Sequence, residues 1–330
     1  MQEYRIIGVE SSPYAVKVRA VMRYRRIPHR WVARMPQFFD ETAHLRPLIM
    51  PVVQFPEGDY RTDSTPIIRD LEALHPNQRS VWPTNPANAF LSELVEDMAD
   101  EWLTKSLFHY RFSRPRDQIS GASWVIDDAN PEIDSSALES KVVDFIKRQT
   151  SRMPIVGCTP KNGPLFELFF TELLERLERF VRTDRFLFGT RPSLGDFGLY
   201  GQLNTLANDP TAGELIRTNA PRTGRWIRRI DDLSGVEGHW DDKAMDTVAA
   251  LAELAGRYYL PFLAANSHAI DSGETSVRLE INGHDYEQPV FRYQAKCFDY
   301  LRRRYAALTV ESKSELNATL GDTRCLQYLN

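Results

Sequence analysis

Two adjacent serines near the amino end of the chain could do chemistry. Ser12 directly precedes Pro13, at the point where an apolar run gives way to a stretch with helical periodicity. Proline is favoured at the first position of a helix, and the backbone N–H groups and dipole of a helix N-terminus favour negative charge. A hydroxyl at this place either caps the helix or helps to hold an anion such as a thiolate. Ser11 offers a second hydroxyl one residue away, so the exact residue at which the helix begins decides which serine caps the helix or holds the anion.

Two further short motifs follow along the chain. Met50-Pro51 enters an apolar run, and an X-Pro bond in this setting is a candidate cis peptide that exposes the backbone of the preceding residue. Asp63-Ser64 stands just before a helix that begins near Thr65. Both residue types are favoured helix caps, and the N–H groups at the same helix end can bind a carboxylate.

Strands and helices alternate around these motifs. Hydrophobic patterning and turn signals predict strands at 4–10, 31–33, 52–55 and 60–62 and helices at 14–26 and 65–74. This order suits a thioredoxin-like α/β domain, which we place at residues 1–78. A Pro/Asn-rich linker at 79–86 follows it.

The second part of the chain is predicted to be helical over residues 87–239. Two long helices are expected at 90–112 and 165–181, whereas 114–135 is polar and interrupted by prolines, which predicts a surface excursion. Ser193 and Asp196 form a Ser-x-x-Asp capping box, to which we assign a role in folding.

Residues 240–330 are predicted to form a C-terminal helical extension. Helices are expected at 243–263 and 291–308, and a hairpin at 277–286 around Asn282-Gly283. We leave the role of this extension open.

The three motifs at Ser12-Pro13, Met50-Pro51 and Asp63-Ser64, in this order, resemble the glutathione-binding half of the cytosolic glutathione S-transferase family. The Ser193/Asp196 box is similar to the usual helix start of its all-α half, and the resemblance covers roughly residues 4–230. It implies a thioredoxin-like α/β domain followed by an all-α helical domain, in a serine-type, bacterial-like member with an extended C-terminal region. It also implies a homodimer with glutathione as co-substrate.

The resemblance implies that Ser12 is the catalytic residue that stabilises the glutathione thiolate. A serine cannot form a mixed disulfide, which favours transferase or isomerase chemistry over thiol reduction. Without the resemblance, Ser12-Pro13 would be interpreted as a plain helix cap. Ser11 and Tyr14 are expected beside the same ligand.

The remaining contacts of glutathione are also implied by the resemblance. The backbone of Met50, before Pro51, would pair with the cysteinyl part, while Asp63 and Ser64 would bind the γ-glutamyl part. For the glycine carboxylate, three candidate cations stay open: Arg34, His44 and Arg46. Ile49 departs from the family pattern, which has a polar residue before the residue that precedes the proline.

A pocket for the second substrate would lie between the two domains. The residues expected to line it are Tyr14, Trp102, Tyr110 and Arg111. The acidic cluster Asp97, Asp100 and Glu101 is at least as consistent with a solvated helix face as with ligand contact.

Composition excludes several other classes. The formal net charge of −4 and a pI near 6.0 argue against a general nucleic-acid binder. Three widely spaced cysteines indicate neither a disulfide framework nor a metal site. No segment has the pattern of a signal peptide or the length of a membrane span. We therefore expect a cytoplasmic protein with no nucleic-acid or membrane partner and no metal.

Three functions remain open on the sequence. The first is a glutathione transferase that joins the thiol to a small electrophile. The second is a glutathione-dependent isomerase or lyase, which Ser12 permits equally well. The third is a non-catalytic binding protein with the same fold, favoured by Ile49 and by the extension.

Overall fold

A four-stranded sheet with flanking helices forms the first part of the fold, and helices form most of the rest. The computed structural model describes residues 3–33, 39–46, 49–76, 79–181, 185–241 and 246–330, without the side chains of Phe39 and Phe180. This architecture confirms the predicted class, a thioredoxin-like α/β domain followed by an all-α domain.

The elements of the first part follow the predicted order. They are β1 (Tyr4–Gly8), α1 (Pro13–Tyr24), β2 (His29–Ala33), α2 (Phe39–Thr42), β3 (Val52–Gln54), β4 (Tyr60–Thr62) and α3 (Ser64–Leu74). The strands are arranged β2-β1-β3-β4, with β1 parallel to β2 and the other two pairs antiparallel. The apolar side chains of α1 and α3 are buried, among them Val18, Val21, Ile67 and Leu71.

The register of this sheet brings the three motifs to one end of it. Ile7 of β1 lies opposite Val52 of β3, and Val52 lies opposite Thr62 of β4. The residues that follow β1, precede β3 and follow β4 therefore share one edge. Helices α1 and α3 both begin at this edge, so two helix N-termini converge there.

The helical layer contains more helices than the sequence pattern predicted. Its elements are α4 (Pro86–Met98), a π-helical turn (Ala99–Leu103), α5 (Thr104–Ser113), α6 (Pro115–Ala129), α7 (Ser135–Thr150), a 3-10 turn (Met153–Val156), α8 (Gly163–Phe180), α9 (Leu194–Asn208), α10 (Pro210–Asn219) and α11 (Pro221–Ile230). The capping box is present at the start of α9, where the Ser193 amide donates to Asp196 Oδ2 at 2.8 Å.

The expected surface excursion at 114–135 is wrong, because this stretch is largely helical. Pro115 occupies the first turn of α6, where proline is tolerated, and does not interrupt it. Asp134 caps α7 by accepting from the Ala137 amide at 2.9 Å. The polar residues that suggested a loop are the outward faces of these two helices.

The C-terminal part adds a hairpin between helices. Its elements are α12 (Asp246–Leu254), a π-helical turn (Ala255–Tyr259), α13 (Leu260–Asp271), β5 (Ser276–Ile281), β6 (His284–Pro289), α14 (Arg292–Ala306), α15 (Val310–Leu320) and α16 (Leu326–Leu329). The predicted hairpin is confirmed, and both Asn282 and Gly283 have positive φ, as a tight two-residue turn requires. The helix expected at 243–263 continues further, to Asp271, and residues 242–245 lie outside the described ranges.

The extension packs directly on the helical layer. Helices α12, α14 and α15 all contact α4, and α12 also contacts α8. Buried Leu251, Phe262 and Leu316 of the extension belong to the same apolar core as the rest of the protein. The domain boundaries at 78, 86 and 239 stay predictions. Over the described residues, no helix has both the length and the apolar character to cross a membrane.

Candidate functional site

Ser12 is the N-cap of α1. Its side-chain oxygen accepts from the Ala15 amide at 3.4 Å, and Pro13 takes the first helical position. The side chain is mostly buried. Within the described part of the chain, the hydroxyl accepts this bond but donates to no group, so its proton is left for a ligand. Capping and anion stabilisation are therefore compatible at this residue.

Ser11 is held on both sides by the helical layer. Its backbone N–H donates to Asp128 Oδ2 at 2.9 Å, and its carbonyl accepts from Arg111 Nη1 at 3.2 Å. The side chain is buried. Both contacts come from α5 and α6, so these helices fix the loop that leads into α1.

Asp128 places a carboxylate beside the N-terminus of α1. Burial raises the pKa of Asp128, and the charge of Glu10 adds to this, while the bond from the Ser11 amide opposes it. A helix N-terminus attracts anions, which explains why this carboxylate is tolerated there. When charged, it also disfavours a second anion at the same place.

Met50 stands just before the paired part of β3. The Met50–Pro51 bond is cis, as predicted. The described ladder of β3 begins at Val52, so the backbone of Met50 lies beyond its last paired residue. The Ile49 side chain is exposed.

Asp63 and Ser64 start α3 but do not cap it as expected. Asp63 has φ of 76° and makes no side-chain bond to the helix end. Its Oδ2 atom instead accepts from the Tyr293 hydroxyl at 2.6 Å. Ser64 is buried, and its hydroxyl lies 3.5 Å from Lys17 Nζ.

Of the candidates for the glycine carboxylate, two lie in the described part of the chain. His44 is exposed, and its ring lies edge-on to Tyr60 at 5.8 Å. Arg46 is exposed and donates to the carbonyls of Ala43 and Leu45. Arg34 lies outside the described residues.

Three of the residues expected to line a second-substrate pocket, Trp102, Tyr110 and Arg111, are buried, which corrects this interpretation for them, whereas Tyr14 is half-buried. Trp102 is enclosed by the rings of Phe166, Phe169, Phe262 and Tyr286. Tyr110 packs on Phe170. Trp102 and Tyr110, which have helical spacing, therefore belong to the core of the helical layer.

The two other pocket candidates make hydrogen bonds within the protein. Arg111 forms a buried ion pair with Asp209, with its Nε and Nη2 atoms both donating to the carboxylate. The Tyr14 hydroxyl donates to the Asp100 carbonyl at 2.9 Å and to Thr104 at 3.1 Å. Burial raises the pKa of Tyr14 well above its usual value.

The sequence comparisons match this arrangement. The family model of the glutathione S-transferase N-terminal domain matches residues 6–79, and that of the C-terminal domain matches residues 170–229. The two models describe the two domains of the glutathione S-transferase family, and they match this chain in the same order. Helices α6 and α7 and the whole extension lie outside both matched ranges.

Solved structures similar to this chain have low identity to it. A glutathione S-transferase from Methylobacterium radiotolerans, in complex with glutathione sulfonate, is 19% identical with a TM-score of 0.43, over 69% of this chain and 90% of that one. The β-etherase LigF from Sphingobium sp. strain SYK-6 is 16% identical with a TM-score of 0.48, over 70% and 95%.

A third structure covers more of the chain. A GST-like protein from Pseudomonas syringae is 20% identical with a TM-score of 0.41, over 78% of this chain and 74% of that one. None of the curated proteins compared with this sequence matches it.

A buried lysine was missed by the sequence analysis. Lys17 is fully buried; its Nζ atom forms ion pairs with Glu96 and with Asp100, the latter at 2.6 Å, and donates to Thr65 at 3.3 Å. These two carboxylates raise the pKa of Lys17 against the opposing effect of burial. The available signal was the position of Lys17 among the apolar residues of α1.

The acidic cluster is not a solvated face, because Asp100 is buried and the half-buried Asp97 and Glu101 both contact the extension. Asp97 Oδ2 accepts from the Tyr259 hydroxyl at 2.7 Å, and Glu101 Oε2 accepts from Gln294 at 3.1 Å. Burial, reinforced by neighbouring carboxylates, raises the pKa of Asp97 to about 7 and that of Glu101 to about 8. The described residues contain no group of His, Cys, Asp and Glu able to hold a metal ion.

All three thiols in the chain are free. Cys158 and Cys325 are buried, while Cys297 is partly exposed. Burial raises the pKa of both Cys158 and Cys325 to about 12. The Cys325 thiol donates to the Ala252 carbonyl at 3.1 Å, and that of Cys158 donates to the Lys105 carbonyl at 3.3 Å.

Because the pKa values of Asp97 and Glu101 are raised, we expect the stability of the protein to fall as pH rises. Their pKa values are raised in the folded state, so between about pH 6.5 and 8 the folded protein binds protons that the unfolded chain has lost. We expect the free energy of unfolding to decrease across this window by on the order of 1–2 kcal/mol. Urea denaturation at several pH values measures it.

The double variant Asp97→Asn/Glu101→Gln should flatten this decrease. A matched control is Glu139→Gln/Asp144→Asn, which removes two carboxylates from the exposed face of α7 and should leave the slope unchanged. An equal slope in the wild type and the Asp97/Glu101 variant would contradict the assignment.

Proposed function

We propose that this protein binds glutathione at the sheet edge where α1 and α3 begin, and activates its thiol for attack on a small electrophile. The observation that carries the proposal is the convergence of Ser12, Met50 and Asp63-Ser64 at one edge of the sheet. Two helix N-termini at this edge suit a ligand that carries a thiolate and carboxylates. The family assignment adds to this support.

In this proposal the protein positions the thiol and lowers its pKa. The Ser12 hydroxyl donates to the sulfur, and the N-terminus of α1 adds its dipole. A free thiol has a pKa near 8.5, and lowering it by one unit requires about 1.4 kcal/mol. One charge-assisted hydrogen bond and one helix dipole are each worth about 1 kcal/mol. The thiolate then forms a carbon–sulfur bond, and the leaving group departs with its electron pair.

Loss of the Ser12 hydroxyl should reduce catalysis more than binding. We expect Ser12→Ala to lower turnover with a model electrophile by about 10²-fold and to change the dissociation constant of glutathione by less than about threefold. Stopped-flow thiolate absorbance and isothermal titration calorimetry measure the two effects. Ser12→Gly, which keeps most of the cap stability, separates chemistry from folding.

The parallel variant Ser11→Ala decides which of the two serines stabilises the thiolate. If that variant loses the thiolate absorbance and Ser12→Ala keeps it, the role belongs to Ser11. Activity that survives in both variants would contradict a serine mechanism.

A non-catalytic glutathione-binding protein is the second candidate. Two observations favour it: the Asp128 carboxylate lies beside the N-terminus of α1, and three of the four residues expected in the second-substrate pocket, Trp102, Tyr110 and Arg111, are buried. A glutathione-dependent isomerase or lyase would use the same thiolate. Product analysis separates these reactions from conjugation, because an isomerase returns glutathione unchanged.

Neutralising Asp128 should favour the thiolate. In Asp128→Asn the amide oxygen still accepts from the Ser11 amide, but the negative charge is gone. We expect the thiol pKa of bound glutathione to fall by about one unit, as measured from the pH dependence of thiolate absorbance. Asp127→Asn, one residue earlier on the same helix, is the matched control. An unchanged thiol pKa in Asp128→Asn would show that this charge does not act on the sulfur.

We also propose a homodimer in the cytoplasm, as the family resemblance implies. The three unpaired thiols are consistent with a reducing compartment. Light scattering after size exclusion tests the assembly: a mass of twice 38.0 kDa supports the dimer, and a mass of 38.0 kDa contradicts it.

A further inference from the structure

The extension reaches the edge where glutathione is proposed to bind. Tyr293, in the first turn of α14, donates its hydroxyl to Asp63 Oδ2 at 2.6 Å. These two residues are 230 positions apart in the sequence. Tyr293 lies outside both ranges that the family models match. One side of this contact therefore comes from a part of the chain that neither family model covers.

The Asp63 carboxylate is free for a ligand because its own helix does not use it. Asp63 has φ of 76° and makes no side-chain bond to the amides of α3. Side chains other than glycine rarely adopt this backbone region, in which asparagine and aspartate are enriched. Within the described residues, the side-chain hydrogen bond of Asp63 is the one from Tyr293. The phenol thus sets where the carboxylate points.

The start of α14 is firmly anchored. Fully buried Asn266 donates to the Phe291 carbonyl at 2.9 Å and accepts from the Phe291 amide at 2.8 Å. Gln294 donates to the backbone carbonyl and the carboxylate of Glu101. Tyr293 lies between these two anchors, which hold its backbone in place, while its side chain is exposed.

A second contact ties α14 to α3. The guanidinium of Arg69 lies 4.0 Å from the ring centroid of Tyr300, whose hydroxyl donates to Glu93 at 3.0 Å. Helix α14 therefore contacts α3 at two points, through Tyr293 near its start and through Tyr300 further along.

Negative charge dominates this corner of the molecule. Asp63, Asp100 and Glu101 act on the same neighbourhood. Burial raises the pKa of Asp100, and the charge of Asp63 adds to this. Burial also raises the pKa of Tyr293, with further contributions from the hydrogen bond to Asp63 and from the charges of Asp63 and Glu101. Lys17 is already paired with Glu96 and Asp100. The Asp63 carboxylate is therefore suited to bind a cationic group of a ligand.

We propose that Tyr293 is a positioning residue of the ligand site, which orients the Asp63 carboxylate toward the ammonium group of a γ-glutamyl ligand. This inference rests on the proposed function. Tyr293 does not touch the reacting sulfur, so it acts on the affinity for the ammonium group. Its removal should weaken ligands that carry this group and spare those that lack it.

Calorimetry with two ligands tests the inference. The first is glutathione, and the second is its analogue in which a glutaryl group replaces γ-glutamyl, so that the ammonium is absent. In Tyr293→Phe we expect the affinity for glutathione to fall about threefold to tenfold, with no change for the analogue. The ratio of the two affinities is the readout, since a merely structural effect would weaken both ligands equally.

Tyr300→Phe is the matched control, because it removes a phenol hydroxyl from the same helix at a distance from Asp63. It should leave the ratio unchanged. In the Asp63→Asn background, where asparagine tolerates the positive φ, Tyr293→Phe should have no further effect on the ratio. An unchanged ratio in Tyr293→Phe, or an equal loss for both ligands, overturns the inference.

The two proposals fail in different ways. If the wild-type protein binds glutathione and Tyr293→Phe keeps the ratio, the role of Tyr293 is wrong while the proposed function stands. If the wild-type protein does not bind glutathione, both are wrong.

Discussion

A single buried ammonium group joins the two parts of this protein. Lys17 of α1 contacts Glu96 and Asp100 of the helical layer and Thr65 of α3. Taking these charges out of water costs several kcal/mol per ion, and only close pairing compensates for it. The arrangement therefore requires α1, α3 and α4 to meet in one geometry. The candidate site depends on this geometry, because both of its helix N-termini belong to α1 and α3.

Two segments that the family models do not match reach the candidate site. Helix α6 brings Asp128 to the Ser11 amide, and helix α14 brings Tyr293 to Asp63. The first adds negative charge where a thiolate is proposed, and the second orients a carboxylate at the other end of the ligand. The contacts that these two segments add to the candidate site are therefore electrostatic.

Local signals predicted much of the fold. The Asn282-Gly283 turn, the Ser193/Asp196 box and the cis Met50–Pro51 bond each depend on residues close together in sequence, and each is present. Proline misled the prediction at Pro115, since the same residue starts a helix as readily as it ends one. Pattern alone could not separate these two cases.

Contacts over long sequence distances explain what the sequence did not reveal about the site. Lys17 pairs with residues some eighty positions away, so its neighbours in sequence give no sign that it is buried among carboxylates. Trp102 and Tyr110 have the spacing of a helix face, and that spacing is the same for a core and for a pocket. Only the packing of α8 and the hairpin against them decides between the two.

The burial of the Cys158 and Cys325 thiols has a consequence for the proposed chemistry with electrophiles. Cys158 and Cys325 stay protonated because water does not reach them to stabilise their anions, and a protonated thiol is a poor nucleophile. An alkylating compound that enters the molecule would therefore find no competing thiolate at these positions. These two thiols would therefore not be consumed by the electrophiles that the proposed function requires.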